Sequence, residues 1–277
     1  MLKTGGKYLI TGGTGFLGHA LVERLLKDGY ENLTVLGRSE KGLVETREKY
    51  PVKIVSGNIA DPMTCEKVCD VDGIFHLAAM KHVGLAEQHS TECIKSNVIG
   101  TLNLLEETRK RGIDFIIGIS TDKAAQVNGV YGATKLLMER LFAEYETFNE
   151  ETEYRIVRYG NVLYSTGSVL CKWKDKMQKG EKVIITDPDA TRFYWTVDQA
   201  IDLIFDSFKA KDSDPYITTM KAMRLGDLLD AMMEKYGRVG VETIGLQPGE
   251  NKHEKLDAVT SSDKVEKYTK EEILELI

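Results

Sequence analysis

Thr11-Gly12-Gly13-Thr14-Gly15-Phe16-Leu17-Gly18 stands directly behind an apolar run, Tyr8-Leu9-Ile10, and opens an amphipathic stretch reaching Lys27. Gly12, Gly15 and Gly18 recur at every third position. A strand that enters such a turn and leaves it as a helix brings backbone N–H groups and the positive end of a helix dipole against a pyrophosphate. Glycine-rich turns are common. The strand before and the helix after are what make this one read as a dinucleotide site.

The pattern repeats outward from that turn. Lys7–Ile10, Leu33–Leu36, Val52–Val55, Gly73–His76 and Phe115–Ile119 are short apolar runs, separated by helical patterns such as Leu17–Lys27 and Ile94–Arg111. Alternation of this kind predicts an α/β fold: a Rossmann-like doubly wound parallel sheet covered on both faces. Beyond residue 160 the rhythm loosens, with helical stretches near Ser168–Lys179, Val197–Lys209 and Arg224–Tyr236. The expected organisation is a cofactor-binding domain over 1–160 and a smaller, mainly substrate-binding α/β region over 161–277. A segment near 197–218 is expected to return to the first domain, and the tail helix around Ile273 to dock on the surface.

Lys and Arg number 37 against 43 Asp and Glu, a net charge of −6 over 277 residues. A protein held to nucleic acid by phosphate attraction would be basic, so no nucleic-acid partner is expected. No apolar run approaches the roughly 18 residues of a membrane helix, and Met1–Lys7 leads into the first strand without an apolar leader. Four cysteines (Cys65, Cys69, Cys93, Cys171) are too few for a disulfide scaffold, and Cys65 and Cys69, four apart in an expected helix, have no histidine nearby to share a metal. A soluble cytoplasmic protein with no metal is the expectation.

The second strand ends in Leu36-Gly37-Arg38-Ser39, with Lys41 close behind. NAD sites usually place an acid here for the ribose hydroxyls, whereas a cation suits the extra phosphate of NADP. NADP is therefore expected rather than NAD, the alternative being that Arg38 is a solvated surface residue. The fifth strand runs into Ser120-Thr121-Asp122-Lys123, and Tyr131 and Lys135 follow at i and i+4 on one helix face. An ammonium beside a phenol lowers its pKa and makes it a usable base for a sugar hydroxyl. Adjacent residues at a strand end project in different directions, so Asp122 and Lys123 can both border one sugar ring. Lys123 would have to lose its proton to act as a base, which desolvation favours.

Taken in order, several stretches resemble the extended short-chain dehydrogenase/reductases. They are His76–Val83, Glu92–Thr101, Ser120–Ala125, Tyr131–Lys135, Val157–Val162, Gly167–Val169, Thr191–Phe193 and Pro248–Glu254. Within that group the chain is similar to the inverting UDP-N-acetylglucosamine 4,6-dehydratases, and Asp122-Lys123 is the most diagnostic pair. The resemblance implies that Tyr131, aided by Lys135 and Thr121, takes the 4-hydroxyl proton while hydride leaves carbon 4. Lys123 then removes the carbon-5 proton, Asp122 protonates the departing 6-hydroxyl, which leaves as water, hydride returns to carbon 6, and a proton returns to carbon 5 on the opposite face, inverting it. It also implies cofactor contacts at Gly12, Thr14, Gly15, Phe16, Leu17, Gly18, Arg38, Ser39, Asn58, Ile59, Leu77, Ala78, Lys81, Asn97, Tyr131, Lys135, Tyr159 and Val162. Contacts with a UDP-sugar are implied at Lys81, Asn161, Val169, Thr186, Arg192 and Glu250, with the Arg192 guanidinium forked on the diphosphate. A homodimer or higher homo-oligomer, through the helix of Tyr131 and the one before it, follows from the same resemblance.

Three positions depart from the family pattern: Gln247 where Arg is usual, Ser165-Thr166 without the usual following arginine, and Asn58-Ile59-Ala60-Asp61 in place of Asp-x-Arg-Asp. Two enzymatic alternatives share the fold, a retaining nucleotide-sugar 4,6-dehydratase and a nucleotide-sugar epimerase. A third is an NADP-binding sensor or scaffold without chemistry; the presence of both Tyr131 and Lys135 argues against it.

Overall fold

Tyr8–Thr11 forms the first strand (β1) and is buried at every position. In the computed structural model, which describes residues 2–277, it pairs in parallel with Leu33–Gly37 (β2) on one side. Lys53–Ser56 (β3) lies beyond β2, and Gly73–His76 (β4) pairs with the other side of β1. Phe115–Thr121 (β5) and Glu153–Tyr159 (β6) complete a six-stranded sheet in the order β3-β2-β1-β4-β5-β6. This is the doubly wound arrangement, whose strand order reverses between β1 and β4 and leaves a crevice at the carboxyl ends of those strands.

Side chains alternate through the sheet. Ile10, Val35, Phe75 and Ile117 face one way, into a core shared with Leu21 of helix Phe16–Lys27 and Ala200 and Ile204 of helix Val197–Asp206. Leu9, Ile74 and Ile116 face the other, with Leu104 of helix Gly100–Arg111 and Met138 and Phe142 of helix Val130–Phe148. Each such fully buried side chain contributes about 1.5–3 kcal/mol, so both faces are strongly specified.

The polypeptide after β6 makes three short strands in a second sheet, Asn161–Val162 (β7), Thr191–Trp195 (β9) and Ala222–Arg224 (β10), in the order β10-β9-β7. Val183–Ile185 (β8) pairs separately with Val241–Thr243 (β11). Its own core gathers Leu170, Trp173, Ile185, Leu228, Met232 and Ile273. Helix Val197–Asp206 packs on Phe16–Lys27, and Tyr216 bridges in parallel to Val157 at the edge of the main sheet.

Three local features differ from the sequence expectation. Glu153–Tyr159 is a sixth sheet strand, hidden in the sequence by its charged residues. The continuous helix expected over Ile94–Arg111 is interrupted by a π-helical turn at Lys95–Ile99, where the Asn97 amide is tied to the backbone of Met80. Finally, β5 ends at Thr121, and Asp122–Ala125 is a short helical turn capped by the Thr121 side chain. Asp122 and Lys123 therefore sit on one turn, and their charged ends converge instead of diverging.

Candidate active site

A cleft of about 860 Å³ opens at the carboxyl ends of β1, β4 and β5 and continues toward β8 and β9. Its floor at the first end is the glycine turn. Gly12 has a φ of 70°, and a Cβ there would lie 2.8 Å from the Ala78 Cα. At Gly18 a Cβ would lie 2.5 Å from the Gly13 Cα and 2.6 Å from the Gly12 carbonyl oxygen. Glycine is thus required at both, one for backbone conformation and close approach, the other for seating the helix on the turn. Gly15 begins helix Phe16–Lys27 without any side-chain cap, which leaves the first N–H groups directed at the cleft. That arrangement fits a dinucleotide pyrophosphate.

Around the turn the cleft is walled by Thr14, Phe16, Leu17, Arg38, Ser39, Asn58, Ile59, Leu77, Ala78 and Lys81. Arg38 is exposed, and Ser39 caps helix Glu40–Lys49 by accepting from the Gly42 N–H at 3.2 Å. Thr121, Lys123, Tyr131, Lys135, Tyr159 and Val162 line the middle; Asn161, Val169, Thr186, Arg192 and Glu250 line the far end. Two expected residues are not on the wall. Asn97 is 1% exposed and spends its amide on Met80 and the Thr134 hydroxyl, so it holds the loop after β4 in place instead of meeting a cofactor. Asp122 is fully buried and lies one hydrogen bond beneath the surface, its Oδ1 accepting from the Thr121 hydroxyl at 2.8 Å.

The centre of the site is a charge cluster. The Lys123 ammonium lies 3.1 Å from Asp122 Oδ1 and 3.2 Å from Glu254 Oε1. Glu254 stands in the motif Pro248–Glu254 but is not among the residues expected to act. Burial by itself would lower the Lys123 pKa, as the sequence reading anticipated. The Asp122 and Glu254 carboxylates outweigh it and hold the ammonium above its ordinary range. The Asp122 pKa is raised too, but there burial is the cause and Lys123 opposes it.

Tyr131 departs from expectation as well. Burial pushes its phenol up to about 12, and the cation that counters this is Lys123. Lys135 instead donates to the Ile119 carbonyl at 2.6 Å, and burial pulls its pKa down to about 8. The unfolded chain keeps that proton to about pH 10.5 while the folded chain releases it near 8, so stability should rise with pH between these values. Urea unfolding should show the wild type gaining up to about 1.4 kcal/mol per pH unit over Lys135→Met in this window. Parallel curves for the two proteins would remove burial of Lys135 as the cause.

Arg192 is 7% exposed, not the open diphosphate fork that the resemblance implies. Its Nη1 donates to the carbonyls of Thr191 and Lys252 at 2.9 and 3.0 Å, and its Nε is 3.7 Å from Glu254. With one arm committed to backbone and Nε turned to a carboxylate, it cannot offer its full fork to phosphate. Gln247 is exposed, its N–H donating to the Glu250 carboxylate at 3.0 Å.

A family model described as "Polysaccharide biosynthesis protein" matches residues 8–276. A protein named "Uncharacterized membrane protein MJ1061", from Methanocaldococcus jannaschii, is 37% identical over 90% of this chain and 79% of its own length. Among the described residues no helix is long and apolar enough to cross a membrane. The UDP-N-acetylglucosamine 4,6-dehydratase (inverting) of Campylobacter jejuni is 32% identical, over 89% of this chain and 75% of that one. The UDP-glucose 4-epimerase of Rickettsia typhi is 31% identical, over 92% and 78%. Among solved structures, Pen from Bacillus thuringiensis superposes with a TM-score of 0.93 at 28% identity, covering 98% of this chain and 96% of that one.

Proposed function

The chain belongs to the polysaccharide biosynthesis protein family, and from that membership we propose that it is a hydro-lyase using NADP on UDP-N-acetylglucosamine. The relatives include a UDP-N-acetylglucosamine 4,6-dehydratase and a UDP-glucose 4-epimerase. What favours dehydration is the Asp122–Lys123 contact at 3.1 Å, beside the cleft that Tyr131 also lines. Loss of water from carbons 5 and 6 needs a base and an acid together, and this pair supplies both.

Bound in the cleft, a nicotinamide would take up hydride from carbon 4 and give it back at carbon 6. On this reading the glycine turn holds the pyrophosphate and Arg38 meets the 2′-phosphate. Tyr131 removes the 4-hydroxyl proton. Lys123 hands its proton to Asp122 across their 3.1 Å contact and, as the free amine, takes the proton from carbon 5, made acidic by the neighbouring ketone. The proton of Asp122 reaches the departing 6-hydroxyl through the Thr121 hydroxyl, which lies between Asp122 and the cleft. Residues 1–160 then serve mainly the cofactor and 161–277 mainly the sugar nucleotide.

Epimerisation at carbon 4 is the second reading, and the depth of Asp122 favours it, because that reaction needs no acid at carbon 6. Incubation with UDP-N-acetylglucosamine in heavy water separates the two by NMR. The proposal expects a 4-keto-6-deoxy product carrying deuterium at carbon 5 in the L-arabino configuration, formed faster with NADP-loaded than with NAD-loaded protein. A D-xylo product would exclude inversion. A 4-epimer that keeps its 6-hydroxyl would sink the dehydratase reading.

A further inference from the structure

We propose that Glu254 is a positioning residue of the acid–base site: held ionised beside Arg192, it keeps a proton on Asp122 and so maintains Asp122 as the acid. The inference rests on the elimination chemistry proposed above.

Glu254 is fully buried. Its N–H donates to the Ser262 hydroxyl at 2.9 Å, and that hydroxyl lies 2.6 Å from the Thr191 hydroxyl. Oε2 accepts from the Asn251 amide at 3.3 Å. Its carboxylate is thereby fixed, with Oε1 between the Lys123 ammonium and the Arg192 guanidinium. A guanidinium does not deprotonate in a protein, and Glu254 is the carboxylate beside it, so Glu254 must stay an anion. Lys123 and Arg192 indeed hold its pKa low although burial opposes them.

Asp122 is then the second carboxyl around one ammonium in a site shut off from water. Two buried carboxylates so placed repel, and the one without a permanent cation beside it takes the proton. Asp122 Oδ2 and Glu254 Oε1 are both buried with no hydrogen-bond partner, but Oε1 has the Lys123 ammonium at 3.2 Å and the Arg192 Nε at 3.7 Å, which leaves Oδ2 as the oxygen better suited to a neutral carboxyl. The titratable groups facing it are Lys123 on its own turn, Tyr131 from helix Val130–Phe148, Tyr194 from β9, and Glu254. Of the two anions here, Glu254 is the one anchored to a permanent cation.

The test uses the whole protein with isotope-labelled aspartate. Infrared spectra at neutral pH should contain a protonated-carboxyl band that Asp122→Asn lacks. Glu254→Gln should lose it and Glu254→Asp keep it. Absence of the band from the wild type, or its persistence in Glu254→Gln, overturns the inference without reference to turnover. With UDP-N-acetylglucosamine as substrate, removing the anion lowers the pKa of every neighbour. Both limbs of the pH–kcat profile should therefore move to lower pH in Glu254→Gln by about one unit, a tenfold loss on the alkaline side, with Glu254→Asp restoring them. A fall in kcat with both limbs unmoved also overturns it. If the band behaves as expected but the wild type converts no UDP-N-acetylglucosamine, the proposed reaction fails while the charge assignment stands.

Discussion

Lys123→Ala should reduce formation of the 4-keto-6-deoxy sugar by about 10³-fold or more, while the affinity for NADP changes little. Positioned acid–base groups contribute about 10²–10⁴ each, and Lys123 is the amine that lines the middle of the cleft together with Tyr131. Its removal touches the acid as well, because Asp122 Oδ1 loses its ammonium partner at 3.1 Å. The same change strips compensation from two buried carboxylates, a loss that commonly destabilises a fold by about 3–5 kcal/mol. Thermal unfolding in parallel separates the effects. A variant that folds, binds NADP and yields no dehydrated product supports the role. One that folds and dehydrates at near wild-type rate places the base elsewhere. The expected signature is more specific than inactivity: with oxidation at carbon 4 intact and elimination blocked, added UDP-N-acetylglucosamine should leave reduced cofactor standing on the protein.

Much of this arrangement could be read from residue types. The glycine series behind Tyr8–Thr11 required a strand, a tight turn and a helix, and the contacts a Cβ would make at Gly12 and Gly18 show why no other residue serves there. The apolar runs of β1, β4 and β5 are nearly featureless because both faces are buried, which marks a parallel sheet. Glu153–Tyr159 was harder to see. Its Arg158 looks like a surface residue in sequence but is paired in the interior with Glu139 at 2.5 Å. Pairings of that kind leave no periodic trace.

The charge cluster was only half legible for the same reason. Asp122 and Lys123 are neighbours in sequence, but the turn that brings their ends together depends on the Thr121 cap. Glu254 arrives from 131 positions beyond Lys123 and is seated by Ser262, Asn251 and Arg192. Sequence spacing assigned Arg192 to phosphate because a guanidinium suits phosphate; folding instead surrounds it with two carbonyls and a buried carboxylate. The available signal was Glu254 itself, an acid closing a motif otherwise read for Glu250.

Tyr131→Phe should stop the sequence one step earlier, which makes it the counterpart of Lys123→Ala. The phenol lies in the cleft with its pKa pushed up to about 12 by burial, so in the free protein it carries its proton throughout the physiological range. Lys123 offsets part of that burial. Without the hydroxyl the site loses the group proposed to take the 4-hydroxyl proton, and turnover should fall by about 10³-fold or more. NADP should still bind, because Lys135 is held by the Ile119 carbonyl and not by the phenol. Addition of UDP-N-acetylglucosamine should give no reduced cofactor and no deuterium at carbon 5, since the ketone that acidifies that position never forms. The two variants thus divide the reaction. An inert Tyr131→Phe beside a Lys123→Ala that accumulates reduced cofactor fits oxidation before elimination. Deuterium uptake at carbon 5 in Tyr131→Phe would contradict that order. Normal turnover to a 4-epimer in Lys123→Ala, with Tyr131→Phe inactive, would replace dehydration by epimerisation, since only the phenol is needed to move hydride on and off carbon 4.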